Sequence, residues 1–140
     1  MSEEKIDIDA KGPDGLPGIF WMIKQENTRG ISAWLDAGGD IEASGYHGAS
    51  PALAAAATDN WPMVSYLLER GARANVSDGR GYTLGFLATR SRVAPEGQYG
   101  QALAQVRAIL AERGLLSRIY EPATVKRMKA EDRWPPTEFR

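Results

Sequence analysis

The chain has 140 residues, of which 43% are hydrophobic and 25% charged, a length and balance that fit one globular domain and lie well above what disordered chains carry. Without a cysteine it has no disulfide, thiolate metal site or cysteine nucleophile; no apolar run approaches the roughly 18 residues of a membrane span, and the acidic start shows no secretory leader, so a cytoplasmic protein is expected. The net charge of −1 hides an asymmetry, with 6 Lys or Arg against 12 Asp or Glu over 1–79 and 11 against 6 over 80–140; this predicts an acidic and a basic end that orient a charged partner, or else plain solvated charge, and without a dense basic stripe it disfavours nucleic acid.

Along the chain the same residue types return every 33 positions. Gly15, Gly48 and Gly81 form one series, Ser50 and Thr83 another, and Leu35 with Leu68 and Gly38 with Gly71 two more. Even the tetrapeptide at 7–10 stands 33 positions before its counterpart at 40–43, which predicts a truncated N-terminal cap over 1–14. The first unit, 15–47, opens at Gly15-Leu16-Pro17 and fills a second helix with Ile31, Trp34 and Leu35. In the second, 48–80, Ser50 is suited to cap a helix that Pro51 starts, and the alanines of 52–57 favour a slim helix. A further helix begins at Trp61-Pro62 and ends at Gly71, with Met63, Val64, Leu67 and Leu68 as its apolar stripe.

The third unit, 81–116, repeats the opening at Gly81-Tyr82-Thr83-Leu84, but its closing segment at 109–114 lies 43 positions after that of the second, at 66–71. Ten extra residues are therefore expected between its two helices, over 92–100, where Pro95, Gly97 and Gly100 interrupt helical periodicity. That insertion is either a functional loop with Tyr99 as an anchor or a disordered excursion. Over 117–140, residues 122–131 predict a short capping helix, and the tail with Pro135 and Pro136 either packs Trp134 and Phe139 onto the stack or hangs loose.

The run Gly48-x-Ser50-Pro51 followed by Leu67-Leu68-x-x-Gly71-Ala72-x-Ala74-Asn75 resembles the ankyrin repeat, whose pattern reads G-x-T-P-L-H-x-A-A and then L-L-x-x-G-A-D-V-N. The resemblance covers residues 5–116, with two units clear and the first more divergent; Leu53 and Phe86 stand where the family carries its histidine. It implies an all-α solenoid of about three helix-turn-helix units, with the insertion in the third and a C-terminal capping helix. It also implies that partners meet the hairpin tips and the exposed side of the first helices. By register these positions include Lys11, Pro13, Asp14, Leu16, Lys24 and Gln25 in the first unit, then Tyr46, His47 and Thr58, then Arg80, Tyr82 and Arg90. Tyr and Arg are the commonest interface anchors, although each of these has the plainer role of covering a turn. Trp21, Trp34 and Trp61 fall in helical registers that predict packing inside or between units.

Catalytic chemistry finds little support. His47 is the only histidine, without a partner base or the ligands a metal needs. Glu3, Glu4, Asp7 and Asp9 lack the turn glycine of a calcium loop, and Gly12-Pro13-Asp14-Gly15 and Gly79-Arg80-Gly81 lack the lysine of a phosphate loop. The expectation is a monomer without cofactor or metal that binds another protein, either as an inhibitor or immunity protein neutralising a toxin or effector enzyme, or as an adaptor subunit of a larger assembly.

Overall fold

Three glycines close the same turn three times. The chain must reverse within a few residues ahead of each unit's first helix, and only a residue tolerant of positive φ closes that reversal cheaply; Gly15, Gly48 and Gly81 take φ of 78°, 72° and 90°. Their N–H groups donate to the carbonyls of Gly12, Gly45 and Asp78 at 2.9, 3.0 and 3.1 Å. A second bond narrows each tip, from Gly12 N to Leu16 O, Gly45 N to Ala49 O and Asp78 N to Tyr82 O. The three tips thus share one backbone pattern at intervals of 33 residues.

The computed structural model describes residues 7–140, and the regular structure among them is helical. α1 spans Gly18–Lys24, α2 Thr28–Asp36, α3 Pro51–Ala57, α4 Trp61–Glu69, α5 Leu84–Arg90, α6 Gly97–Glu112 and α7 Pro122–Ala130, with single 3₁₀ turns at Tyr46–Gly48 and Thr137–Phe139. The caps recur with the same period, each satisfying a backbone N–H that the first helical turn leaves free. Ser50 and Thr83 side chains accept from Leu53 N and Phe86 N, and those of Asn27 and Asn60 from Gly30 N and Met63 N.

α1 packs on α2 and α3, α3 on α4 and α5, and α6 on α4 and α5, so α1, α3 and α5 form one row with α4 and α6 behind it. The core between the rows holds Ile19, Ile31, Leu53, Trp61, Leu67, Leu84 and Leu110, all fully buried. Burial of one such aliphatic side chain stabilises by roughly 2 kcal/mol, which no single unit could collect alone. Across the back, the Arg70 guanidinium ties α4 to α2 by donating to Ser32 Oγ at 3.0 Å and Asp36 Oδ1 at 2.9 Å.

Two sequence expectations change. Residues 97–100 are helical, not an excursion: only 91–96 are non-helical, and α6 is 16 residues long against 9 for α4, so most of the extra length extends the helix. Gly100 permits this, because a Cβ there would overlap Ala94 O, where the loop folds back on the helix. Trp21 is not packed inside; it is 36% exposed and leans over the first tip, where a Cβ on Gly12 would stand 3.0 Å from Trp21 Cβ. Trp34 and Trp61 are buried as expected.

The tail docks. Tyr120, Trp134 and Phe139 meet edge to face with ring centroids 5.5–5.9 Å apart, and Asn75 Nδ2 donates to Phe139 O at 3.0 Å. At the other end, Glu3 and Glu4 lie outside the described residues, whereas the turn at 7–10 has the same bond as the turn at 40–43, Ala10 N to Asp7 O and Ala43 N to Asp40 O.

Candidate functional site

The tips and first helices define one face. Its central feature is the second tip, where His47 takes the positive φ of 56° and the Tyr46 ring stands 72% exposed. The two rings meet edge to face at 4.4 Å. The His47 backbone, rather than its imidazole, joins neighbouring tips, since its carbonyl accepts from Gly79 N at 2.7 Å. Glycine at 79 eases this approach, because a Cβ there would stand 3.0 Å from that oxygen.

The third tip is built around Asp78, whose side chain is only 2% exposed. A buried carboxylate is costly unless its oxygens are filled. Here one oxygen accepts from the N–H groups of Arg80 and Tyr82 at 2.9 and 3.0 Å, and the other from Arg80 Nε and Nη2 at 3.1 and 2.9 Å. So held, the Arg80 guanidinium lies 4.8 Å from the Tyr82 ring centre, Tyr82 tilts against Phe86 at 5.6 Å, and Arg90 covers Phe86 at 4.8 Å. Arg90 also pairs with Glu121 at 3.1 Å. The ring quadrupoles attract these cations, and both arginines remain exposed to solvent.

Two hollows lie between the tips. The first, about 430 Å³, has Leu16, Phe20, Ile23 and Ala54 along its walls and Asp14, Lys24, Tyr46 and Thr58 at its edge. The second, about 190 Å³, is lined by Tyr46, His47, Leu53, Ala54, Leu87 and Arg80, among others. Both share Tyr46 and Ala54, so they are neighbours on one surface. Register explains their depth: the position held by Ala54 is Trp21 in the first unit and Leu87 in the third, and the missing bulk opens space on either side. Phe20 reaches beneath the second tip only because position 45 is glycine, where a Cβ would stand 2.5 Å from the Phe20 ring.

At the edge of the first hollow, Lys24 Nζ donates to Asp14 Oδ2 at 3.1 Å. The Leu16 N–H and then this lysine hold the Asp14 carboxyl below its ordinary pKa, because both interactions favour the charged form.

Of the residues chosen from sequence, Tyr46, His47, Thr58 and Arg80 line the two hollows, and Tyr82 and Arg90 join through the stacked rings. Tyr99 does not join them. It sits in the first turn of α6, and its hydroxyl donates to Glu26 Oε1 in the α1–α2 turn. Sequence reasoning missed Phe20, Ile23 and Ala54, which stood in ordinary helical registers; the one visible signal was the small residue at 54 where its 33-residue neighbours are large. Apolar concavities edged by a few fixed ions and an exposed aromatic ring are the features by which proteins hold partners or ligands.

No known protein family's sequence profile matches the chain, and no curated protein matches it.

Proposed function

We propose that the chain is an ankyrin-type array that acts without catalysis, by stoichiometric binding of another protein across its tip face. In the narrower form of this reading it is a cytoplasmic inhibitor or immunity protein that is monomeric until it covers a toxin or enzyme. One observation carries the proposal: Tyr46 holds a largely solvent-exposed ring between two apolar hollows, an arrangement with no use in the core and the usual form of an interface anchor. The resemblance to ankyrin repeats supports it, since that family presents this face to its partners.

Affinity capture from the source lysate followed by mass spectrometry tests the proposal. One dominant partner is expected, in a complex of fixed stoichiometry by light scattering, and Tyr46→Ala should release it without lowering the melting temperature. Many weak partners would count against it. A chain that assembles with itself before any partner is added would favour the adaptor reading instead.

A further inference from the structure

We propose that the two hollows form one groove for an acidic protein segment carrying a bulky apolar anchor, which lies with the anchor in the first hollow and its carboxylates toward the third unit. The inference rests on the protein-binding reading above and adds the partner's chemistry and direction.

The anchor follows from size and lining. The first hollow, at about 430 Å³, is the larger and is floored by Leu16, Phe20, Ile23 and Ala54. Its edge charges cancel, because Asp14 and Lys24 pair at 3.1 Å. A space that is apolar below and neutral at the rim gains most from a large aliphatic or aromatic side chain, which leaves no charge buried without a partner. The second hollow, at about 190 Å³, takes less.

The direction follows from charge. Asp78 is buried and its oxygens already accept four bonds, so it orients Arg80 without facing the groove as a free anion. Arg80 uses Nε and Nη2 on Asp78, and among the described residues nothing accepts from its Nη1. Lys129 on α7 donates to the Asp78 backbone carbonyl at 3.3 Å, adding a cation to the same tip. Arg90 and Glu121 are each 61% exposed, a setting in which ion pairing is weak and open to competition. The groove therefore runs from a neutral apolar end to a cationic aromatic one, and complementary charge fixes a partner's register as well as its rate of encounter. A carboxylate on the free edge of Arg80 would be held in place while its backbone passes Tyr82 and Phe86. The apolar first hollow and the exposed Tyr46 favour a protein segment over a nucleic acid.

The test is selection from a displayed library of random dodecapeptides on the immobilised full chain. The enriched peptides should combine a Trp, Phe or Leu with Asp or Glu at a constant offset and should bind more weakly as salt rises. Ala54→Leu, which fills both hollows, and Tyr46→Ala should each weaken them by about tenfold or more. Arg80→Gln should weaken them and flatten the salt dependence, whereas Arg113→Gln, at the far end of α6, should leave them unchanged. Melting curves would identify a variant that failed to fold, and with three separate substitutions one such failure does not remove the test. Peptides of neutral or basic composition, binding indifferent to Ala54→Leu and Arg80→Gln, an absence of enrichment, or preferential capture of oligonucleotides would each overturn the inference. The broader protein-binding reading would survive those results if the lysate still yielded one dominant partner.

Discussion

The Tyr99 hydroxyl donates to the Glu26 carboxylate at 2.6 Å, joining the start of the third unit's long helix to a turn in the first unit, 73 residues away in sequence. Repeat arrays normally hold together through neighbouring units alone. Here α6 spans the back of α4 and braces the unit beyond it. The phenol is held above its ordinary pKa, first by the hydrogen bond to Glu26 and then by that residue's charge.

Removing this strut should loosen the first unit before it affects the whole. In Tyr99→Phe, amide exchange in the turn at 25–28 should accelerate while the melting temperature barely moves, because the pair is exposed to water. The same loosening should appear in the parent protein at alkaline pH. A phenol whose folded pKa is raised gives its full contribution below the unfolded value near 10 and loses it as pH rises through the folded one. Unchanged exchange in the variant would show that the contact holds nothing.

Two glycines with similar backbone angles should respond differently to substitution. Gly71, φ 98°, has open space where a methyl group would stand, whereas at Gly81, φ 90°, a Cβ would overlap Pro122 O. Gly71→Ala should cost about 1–2 kcal/mol from the left-handed conformation alone. Gly81→Ala should cost at least about 1–3 kcal/mol more, because α7 must move away. Urea titration compares them, and equal losses would mean that α7 is not seated on the third tip.

Glu42 should limit stability at neutral pH. Partial burial holds its carboxyl above the ordinary range, against the opposing pull of the Arg73 N–H and charge. The folded chain thus binds this proton more tightly than the unfolded one, so the group favours folding at low pH and ceases to do so as pH rises through its folded value. Glu42→Gln should be slightly more stable than the parent at pH 7, with the difference gone below about pH 4, where both side chains are neutral. A variant less stable at pH 7 would show that charge on Arg73 outweighs burial.

The repeated caps predict matched losses. Asn60 and Asn27 cap α4 and α2 through the same bond, at 3.3 and 2.9 Å, so each Asn→Ala change should cost about 1 kcal/mol. Chemical denaturation of both variants measures this, and a loss at one site alone would break their equivalence.

What was legible in advance was local. The 33-residue spacing, the capping Ser50 and Thr83, and Gly48 and Gly81 at the tips depend on hydrogen bonds that close within a few residues, so the residue types reveal the turn without knowledge of the rest. His47 and Tyr46 could be assigned to a tip for the same reason. The failures each required a distant partner. Trp21 has a helical register but lies at the end of the first-helix row, where among the described residues no further helix covers it. Residues 97–100 look like a break because Gly97 and Gly100 have poor helix propensity, yet packing of α6 on α4 and the fold of 91–96 against Gly100 stabilise a helix there.

The helical periodicity and the three equivalent tips follow from residue types along the chain, because turn geometry and capping are settled within a single unit by the chemistry of Gly, Ser, Thr and Asn. Which face is hollow and which is braced depends on how the units meet. The two concavities exist where a small Ala54 stands between larger neighbours in adjacent units, Tyr99 meets Glu26 because an elongated helix crosses the back, and Phe139 docks because Tyr120 and Trp134 have come together. These are differences in volume and distance between units, which no spacing along one chain records.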